Sequence, residues 1–110
     1  MFGISKSYAK ACNDHFNNDE WDIFEIFQEE CAEAIHSMSM IIRYGKTEDL
    51  MVTLKEEMSH VAICLAMVSD LFDIKQDDIN VQVLIAAENH GIPCNTVVIE
   101  EVEEKNETIL

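Results

Sequence analysis

The chain has 110 residues, of which 48% are hydrophobic, and it carries a formal net charge of −15. This length predicts a single domain with enough apolar side chains to build a core. The acidic balance excludes binding to a nucleic acid polymer through its phosphates, and to an anionic membrane surface, because both interactions need a basic face. It favours a protein whose acidic groups bind divalent cations.

The first two helices are predicted over residues 4–16 and 20–43. Apolar residues recur at helical spacing in both segments, and the polar residues 17–19 interrupt the pattern between them. Asp19 is a good N-cap for the second helix, and Gly45 is a stop signal after it. These signals predict a short helix, a break and then a long helix.

The third helix begins either at Thr47 or at Thr53 and ends near Phe72. The second start is favoured by a capping box formed by Thr53 and Glu56. Residues 54–72 are apolar on nearly all sides, and such a helix needs cover from several directions. Since a chain this short supplies few layers, we expect a homodimer or a homotetramer with the second and third helices at its centre.

A fourth helix is predicted to start at Asp77 and Asp78, whose charges favour the beginning of a helix. The glycine and proline within residues 89–93 mark its end. By composition, residues 81–85 are also compatible with a strand. The favoured interpretation is an antiparallel bundle of four to five helices.

The predicted domain organisation is one all-α domain over residues 1–94 and an acidic C-terminal tail over residues 95–110, with a short extended piece at residues 96–99. No segment is typical of a signal peptide or long enough to span a membrane. The four cysteines form no close pairs, which favours reduced thiols. We therefore expect a cytoplasmic protein, or one in the host cytoplasm if it is viral.

Two acidic clusters place potential metal ligands three residues apart. Glu30 and Glu33 belong to the second helix, and Glu57 and His60 to the third. Side chains at this spacing are neighbours on a helix surface. At 100° per residue the ligands also fall on or beside two apolar stripes, formed by Ile23, Phe27, Cys31, Ala34, Met38 and Ile41 and by Leu54, Met58, Val61, Leu65, Val68 and Phe72. A carboxylate facing a core is costly unless it is paired or binds a metal, so two such helices predict a shared cation.

The clusters read Glu-Glu-x-x-Glu over residues 29–33 and Glu-Glu-x-x-His over residues 56–60. This pattern resembles the paired Glu-x-x-Glu and Glu-x-x-Asp motifs of the all-α nucleoside triphosphate pyrophosphohydrolases, the superfamily of MazG-like proteins and dimeric dUTPases and dCTPases. The resemblance covers roughly residues 21–89, and the 23 residues from 34 to 56 fit the family spacing. It implies a MazG-like oligomer that converts a nucleoside triphosphate to a monophosphate and pyrophosphate.

The expected cofactor is a divalent cation, Mg²⁺ or Mn²⁺, held by Glu30, Glu33, Glu57 and His60 together with phosphate oxygens of the substrate. A neighbouring carboxylate can take the proton of the attacking water, or can orient the metal ligands instead. Glu29 and Glu56 are the candidates for this role, and the sequence does not separate the two functions.

His60 stands where the family has aspartate. Imidazole suits Mn²⁺, Zn²⁺ or Fe²⁺ better than Mg²⁺. One interpretation is an altered metal preference, and a second is a site that binds a nucleotide without cleaving it. A third interpretation is a core histidine without a role. Retained binding without cleavage would make the chain a nucleotide-binding or protein-interaction module, which is the alternative function.

Asn89 matches an asparagine in the last helix of the family, where it would contact the nucleotide. Here Glu88 and His90 flank it in place of the family's basic residues, so its other interpretation is an ordinary residue at a helix end. Trp21 precedes the first cluster by nine residues. We expect it to pack in the core, with stacking on a nucleobase as the alternative.

A zinc site is a further alternative, because Cys12 and His15 are three residues apart and His60 and Cys64 are four apart. The first pair lies far from the second in sequence, and isolated buried cysteines are common core residues. Core packing is therefore the favoured interpretation of these cysteines.

Overall fold

A computed structural model describes residues 2–93. Four helices make up this part of the chain, and it contains no strand: α1 spans Lys6–His15, α2 spans Glu20–Tyr44, α3 spans Glu48–Leu71 and α4 spans Gln76–Asn89. The predicted all-α class is confirmed for the described residues. Within the same residues no helix combines the length and the apolar character needed to cross a bilayer. The predicted tail and its extended piece at residues 96–99 lie outside the described residues.

The predicted ends of α2 are confirmed by the cap geometry. The Asp19 carboxylate accepts a hydrogen bond from the Asp22 backbone N–H at 3.0 Å, which satisfies one of the free donors of the first turn. Gly45 ends the helix with φ of 88°, a conformation that a side chain would oppose.

The start of α3 is decided by Thr47. Its hydroxyl oxygen accepts a hydrogen bond from the Leu50 backbone N–H at 3.3 Å. Thr53 lies inside the helix, where its hydroxyl donates to the Asp49 carbonyl at 3.1 Å, so the capping-box interpretation is wrong. The earlier start also places the acidic Glu48 and Asp49 in the first turn, where the helix dipole favours negative charge.

Residues 81–85 belong to α4, and their interpretation as a strand is wrong. The Lys75 backbone N–H donates to the Asp78 carboxylate at 2.8 Å, which caps the helix start. Asp77 adds a second negative charge in the first turn. These local signals outweigh the β-branched composition of residues 81–85 because no neighbouring strand offers a ladder within the described residues.

The helices α2 and α3 form the main packing unit. Residues 45–47 join them, and the pairing of Phe24 with Phe72 and of Glu30 with His60 shows that they run antiparallel. Helix α1 packs on α3, where the buried Asn13 amide donates to the Met67 carbonyl at 2.9 Å. Helix α4 makes only sparse contact with the other three. The buried apolar residues are Ala9, Ile23, Cys64, Ala66, Met67 and Ala87.

Four apolar residues expected in the core are exposed, one of them Phe72, which is 40% exposed. Trp21 is 75% exposed and lies edge-on to Phe24 with ring centroids 6.3 Å apart, so the core prediction for it is wrong. It sits in the first turn of α2, where Ile23 is the buried residue. Met38 and Met58 are also exposed, because the contact between α2 and α3 is narrower than the stripes drawn from the sequence.

Candidate metal centre

The two acidic clusters meet across the interface between α2 and α3. Each residue offers one ligand atom, and these atoms all lie within 4.8 Å of one another in the group formed by Glu30, Glu33, Glu57 and His60. The antiparallel pairing explains the meeting, since both clusters lie near the middle of their helices and face the partner helix. Spacing along each helix and register between the helices therefore build a single cluster.

His60 makes the closest described polar contact of the cluster. Its Nδ1 lies 3.1 Å from Oε2 of Glu30 and 3.5 Å from Oε2 of Glu57. The His60 side chain is about half exposed, so its interpretation as a core residue is wrong. The half-exposed ring lies on the solvent side of the cluster.

Glu57 is the most enclosed of these contacting groups, with a side chain only 15% exposed. Its Oε2 atom is buried and accepts no hydrogen bond. Burial raises the pKa of this carboxyl above its ordinary value, and a hydrogen bond with Glu33 and the charges of Glu33 and Glu30 act in the same direction. His60 opposes them. The metal-free cluster thus holds crowded negative charge around an oxygen without a hydrogen-bond donor.

This donor set fits a divalent cation. Two ligands on opposite sides of Mg²⁺ or Ca²⁺ lie about 4 to 5 Å apart, given metal–oxygen distances of about 2.0 to 2.6 Å. The spread of 4.8 Å is within that span. Three carboxylates supply hard oxygen ligands, and the imidazole shifts the preference towards Mn²⁺ or other transition metals. The unpartnered Oε2 of Glu57 is the atom that a cation would satisfy.

A cavity of about 470 Å³ adjoins the cluster between the same two helices. Its lining comprises Ala32, Glu33, His36, Ser37, Met40, Leu50, Thr53 and Glu57. Glu33 and Glu57 belong to both the cavity and the cluster, so a molecule in the cavity would reach the candidate metal position. The volume is within the usual range for small-molecule sites, about 300 to 1,000 Å³.

The remaining predicted site residues lie outside the cluster. Glu29 and Glu56 are exposed neighbours of the ligands in sequence. Trp21 is roughly 13 Å from Glu30 along the axis of α2, from the rise per residue. Asn89 is the last residue of α4 and is exposed.

The structure does not bring the cysteines and histidines of the alternative zinc site together within residues 2–93. Within residues 2–93, the group of Glu30, Glu33, Glu57 and His60 is the only set of three or more potential ligands close enough to hold an ion. Cys64 is buried, and this burial, with smaller contributions from Glu30 and two other thiols, raises its pKa to about 11. A thiol with this pKa stays protonated at neutral pH, which suits a core residue better than a ligand.

Reasoning from the sequence missed the polar lining of the cavity. Ser37 and Thr53 lie four residues from Glu33 and Glu57 in the direction of the connection between α2 and α3. The available signal was this spacing, since residues four apart share a helix face. Ser37 is buried and its hydroxyl has no hydrogen-bond partner, a property that only the packed structure reveals.

No family model, curated protein or solved structure matches this chain. The resemblance to the all-α pyrophosphohydrolases therefore rests on the two motifs and on the helices that carry them.

Proposed function

We propose that the chain is a metal-dependent nucleoside triphosphate pyrophosphohydrolase with a MazG-like fold. Its substrate would be a ribonucleoside or deoxyribonucleoside triphosphate, and its products a monophosphate and pyrophosphate. The observation that carries the proposal is the meeting of the two motifs in one cluster, with ligand atoms within 4.8 Å of one another. The adjoining cavity of about 470 Å³ offers room for the organic part of such a substrate.

In this proposal Glu30, Glu33 and Glu57 bind Mg²⁺ or Mn²⁺, with His60 as a fourth ligand. A bound cation would polarise the phosphates and favour ionisation of a water molecule. The carboxylates hold negative charge at fixed positions, and the half-exposed His60 leaves the solvent side accessible. Phosphate oxygens of the substrate would complete the coordination, as is usual for Mg²⁺ sites.

Glu29 or Glu56 would accept the proton of the attacking water at a carboxylate oxygen. The water oxygen forms the new bond to the α-phosphorus, and the bond from this phosphorus to the oxygen that bridges the α- and β-phosphates breaks. The second product is pyrophosphate, and the proton held by the carboxylate returns to solvent. Both side chains are exposed next to the cluster in sequence, which is compatible with this role or with orienting the ligands.

The proposed protein is a cytoplasmic homodimer or homotetramer. Several large apolar residues of the described chain face solvent, among them Ile42 on α2, which is 86% exposed. Exposed apolar groups of this extent are typical of surfaces that bind another protein. Self-association would cover them.

A second candidate function is a nucleotide-binding or protein-interaction module without catalysis. His60 in place of aspartate favours it, as does the absence of basic residues beside Asn89 in the sequence. Both functions use the same cluster and cavity, so binding alone does not separate them.

Product analysis separates the two functions. The purified chain is incubated with each canonical nucleoside triphosphate and Mg²⁺ or Mn²⁺, and nucleotide products are resolved by anion-exchange chromatography. Release of pyrophosphate that is lost in Glu57→Gln and retained in Glu25→Gln supports the enzyme. Glu25 is a suitable control because it is exposed on α2 and outside the cluster. Nucleotide binding without any product would establish the module instead.

A further inference from the structure

The cavity beside the acidic cluster is polar at one end and mainly apolar at the other. Glu33 and Glu57 form the polar end, and Met40 and Leu50 lie towards the connection between the helices. From Glu33 to Met40 the cavity follows α2 for about two turns, or roughly 10 Å. It therefore suits an elongated ligand with a charged end at the cluster and a less polar end near the connection.

Ser37 lies between these two ends, and its hydroxyl is unlike those of the other described helix serines. Ser37 is only 3% exposed, and its Oγ is buried without a hydrogen-bond partner. By contrast, Ser39 donates to the Ile35 carbonyl at 3.1 Å, Ser59 donates to the Glu56 carbonyl at 2.6 Å and Ser69 donates to the Leu65 carbonyl at 2.8 Å. Helix serines ordinarily make this backbone hydrogen bond when they are enclosed. Ser37 instead lines the cavity while its Oγ stays buried without a hydrogen-bond partner.

A buried hydroxyl without a partner is unfavourable for folding, because it gives up hydrogen bonds to water. A ligand in the cavity would supply the missing partner once rotation about the Cα–Cβ bond of Ser37 turns the buried Oγ towards it. Thr53 is the other hydroxyl in the lining, and it already donates to the Asp49 carbonyl. Ser37 is therefore the lining hydroxyl whose donor is available, and it can accept a hydrogen bond as well.

We propose that Ser37 determines base specificity by hydrogen bonding the nucleobase of a nucleotide whose phosphates lie at the acidic cluster. The inference rests on the proposed function for the identity of the ligand as a nucleotide. The apolar side chains of Met40 and Leu50 would contact the planar base, while the Ser37 hydroxyl would hydrogen bond its polar edge. Apolar walls with a few well-placed polar groups are the usual composition of a specific small-molecule site.

The test compares Ser37→Ala with Ser39→Ala, which removes the same hydroxyl two residues away on an exposed part of α2. For each variant kcat and KM are measured with every canonical nucleoside triphosphate and Mn²⁺. Ser37→Ala should reduce the kcat/KM ratio between the best substrate and the next by about tenfold, mainly through KM, as expected for loss of one hydrogen bond. Ser39→Ala should keep the ratio of the wild type.

Two further measurements exclude a structural role for Ser37. Mn²⁺ affinity should be unchanged in Ser37→Ala, since Ser37 is outside the cluster. Thermal unfolding of the metal-free variant should not fall below that of the wild type, because the deleted hydroxyl has no partner. Ser37→Cys, which keeps a weak donor, should be intermediate in base preference and serves as the second variant if Ser37→Ala does not fold.

An unchanged base preference in Ser37→Ala and Ser37→Cys overturns the inference while leaving the proposed enzyme intact. An equal loss of kcat/KM with all bases also overturns it, since that pattern indicates a structural effect. If the wild type releases no pyrophosphate, calorimetry with α,β-imido nucleotides and Mn²⁺ replaces the kinetic measurement. If the wild type binds the nucleotides with base-dependent affinity and Ser37→Ala binds them all equally, the role of Ser37 is supported although the chain is not an enzyme. If no nucleotide binds, both the role of Ser37 and the proposed function are overturned.

Discussion

The α2–α3 pair and α4 depart from the ordinary distribution of side chains in opposite directions. Between α2 and α3, the carboxylate of Glu57 is enclosed, with an oxygen that accepts no hydrogen bond. On α4, the buried residues are Asn80 and Ala87, while large apolar residues face solvent. These exposed residues are Val81, Val83, Leu84 and Ile85.

The contrast teaches that the two regions would be stabilised by different binding partners, a cation in one case and a protein surface in the other. Enclosed negative charge is relieved by a cation, which would bind the interior of the α2–α3 pair. Exposed apolar surface, which α4 shares with Ile42 of α2, is relieved by another protein surface that covers it. Metal binding and self-association are thus expected to respond to different substitutions, and the predictions below test this separation.

The largest expected effect is on metal affinity. Glu30→Gln and Glu57→Gln should each weaken Mn²⁺ binding on the order of a hundredfold or more, because each removes a charged ligand from a cluster of four residues. Isothermal titration calorimetry measures the change, with Glu25→Gln as the control. Unchanged affinity for Mn²⁺ and Mg²⁺ in both variants would eliminate the shared site.

A substitution on α4 should affect association instead. The wild type is expected to be a dimer or tetramer, and Leu84→Glu should weaken its assembly about tenfold or more, because it places a charge in a covered apolar surface. Multi-angle light scattering over a dilution series measures the dissociation, and Mn²⁺ affinity should remain that of the wild type.

The sequence predicts that α2 and α3 lie at the centre of the assembly, so Ile42→Glu on α2 provides the comparison. Dissociation by Ile42→Glu alone would leave α4 outside the interface. A well-folded wild-type monomer at micromolar concentration would contradict the oligomer.

The identity of residue 60 should set the choice of metal. As a nitrogen ligand, His60 favours Mn²⁺ or Co²⁺ over Mg²⁺, and its ring must be neutral to bind. Metal binding by the wild type should therefore weaken in acid, because protons compete with the metal for its ligands. His60→Asp should raise pyrophosphate release with Mg²⁺ by about tenfold, the effect of restoring one charged oxygen ligand.

Pyrophosphate assays with Mg²⁺, Mn²⁺ and Co²⁺ compare His60→Asp with His60→Ala. If the two variants behave alike and keep the metal preference of the wild type, His60 is not a ligand. The interaction module would then be the better supported function.

The smallest expected effect is on the pH dependence of the metal-free protein. The pKa of Glu57 is raised above its ordinary value of 4.5, chiefly by burial, so the folded state holds this proton more tightly than the unfolded state. The contribution of this group to stability is complete below the ordinary value and is lost as pH rises through the raised pKa. Glu57→Gln should therefore reduce the fall in stability as pH rises from acid conditions to above the ordinary value of 4.5.

Urea unfolding across this pH range, in the presence of a chelator, measures the effect. Glu25→Gln provides the matched loss of one charge at an exposed position, and an equal pH dependence in the two variants would contradict the assignment to Glu57. Addition of Mn²⁺ to the wild type should reverse the trend, because the metal binds the deprotonated carboxylates.

Local signals made the helices and the cluster predictable. Asp19 and Gly45 set the ends of α2 through hydrogen bonds and backbone conformation within a few residues. The ligand spacing required only helical geometry, and the short connection fixed the antiparallel pairing. The start of α3 was ambiguous because both Thr47 and Thr53 have sequence contexts suitable for a cap.

Properties that depend on packing were not predictable. Trp21 is exposed although Ile23, in the same turn of α2, is buried, so the side of this turn that packs against the other helices is set by their placement and not by a local pattern. Ser37 resembles an ordinary helix serine in sequence, and its unused donor emerges only from the position of the surrounding helices.

The short connection between α2 and α3 determines how metal affinity responds when the protein is diluted. Only residues 45–47 separate the two helices, so the halves of the cluster are tethered on one chain at a high effective concentration. Assembly of the four ligands is then a unimolecular event, whatever the state of association of the protein. Dilution that separates the subunits should leave the affinity for Mn²⁺ unchanged, and a single chain should carry one complete set of ligands.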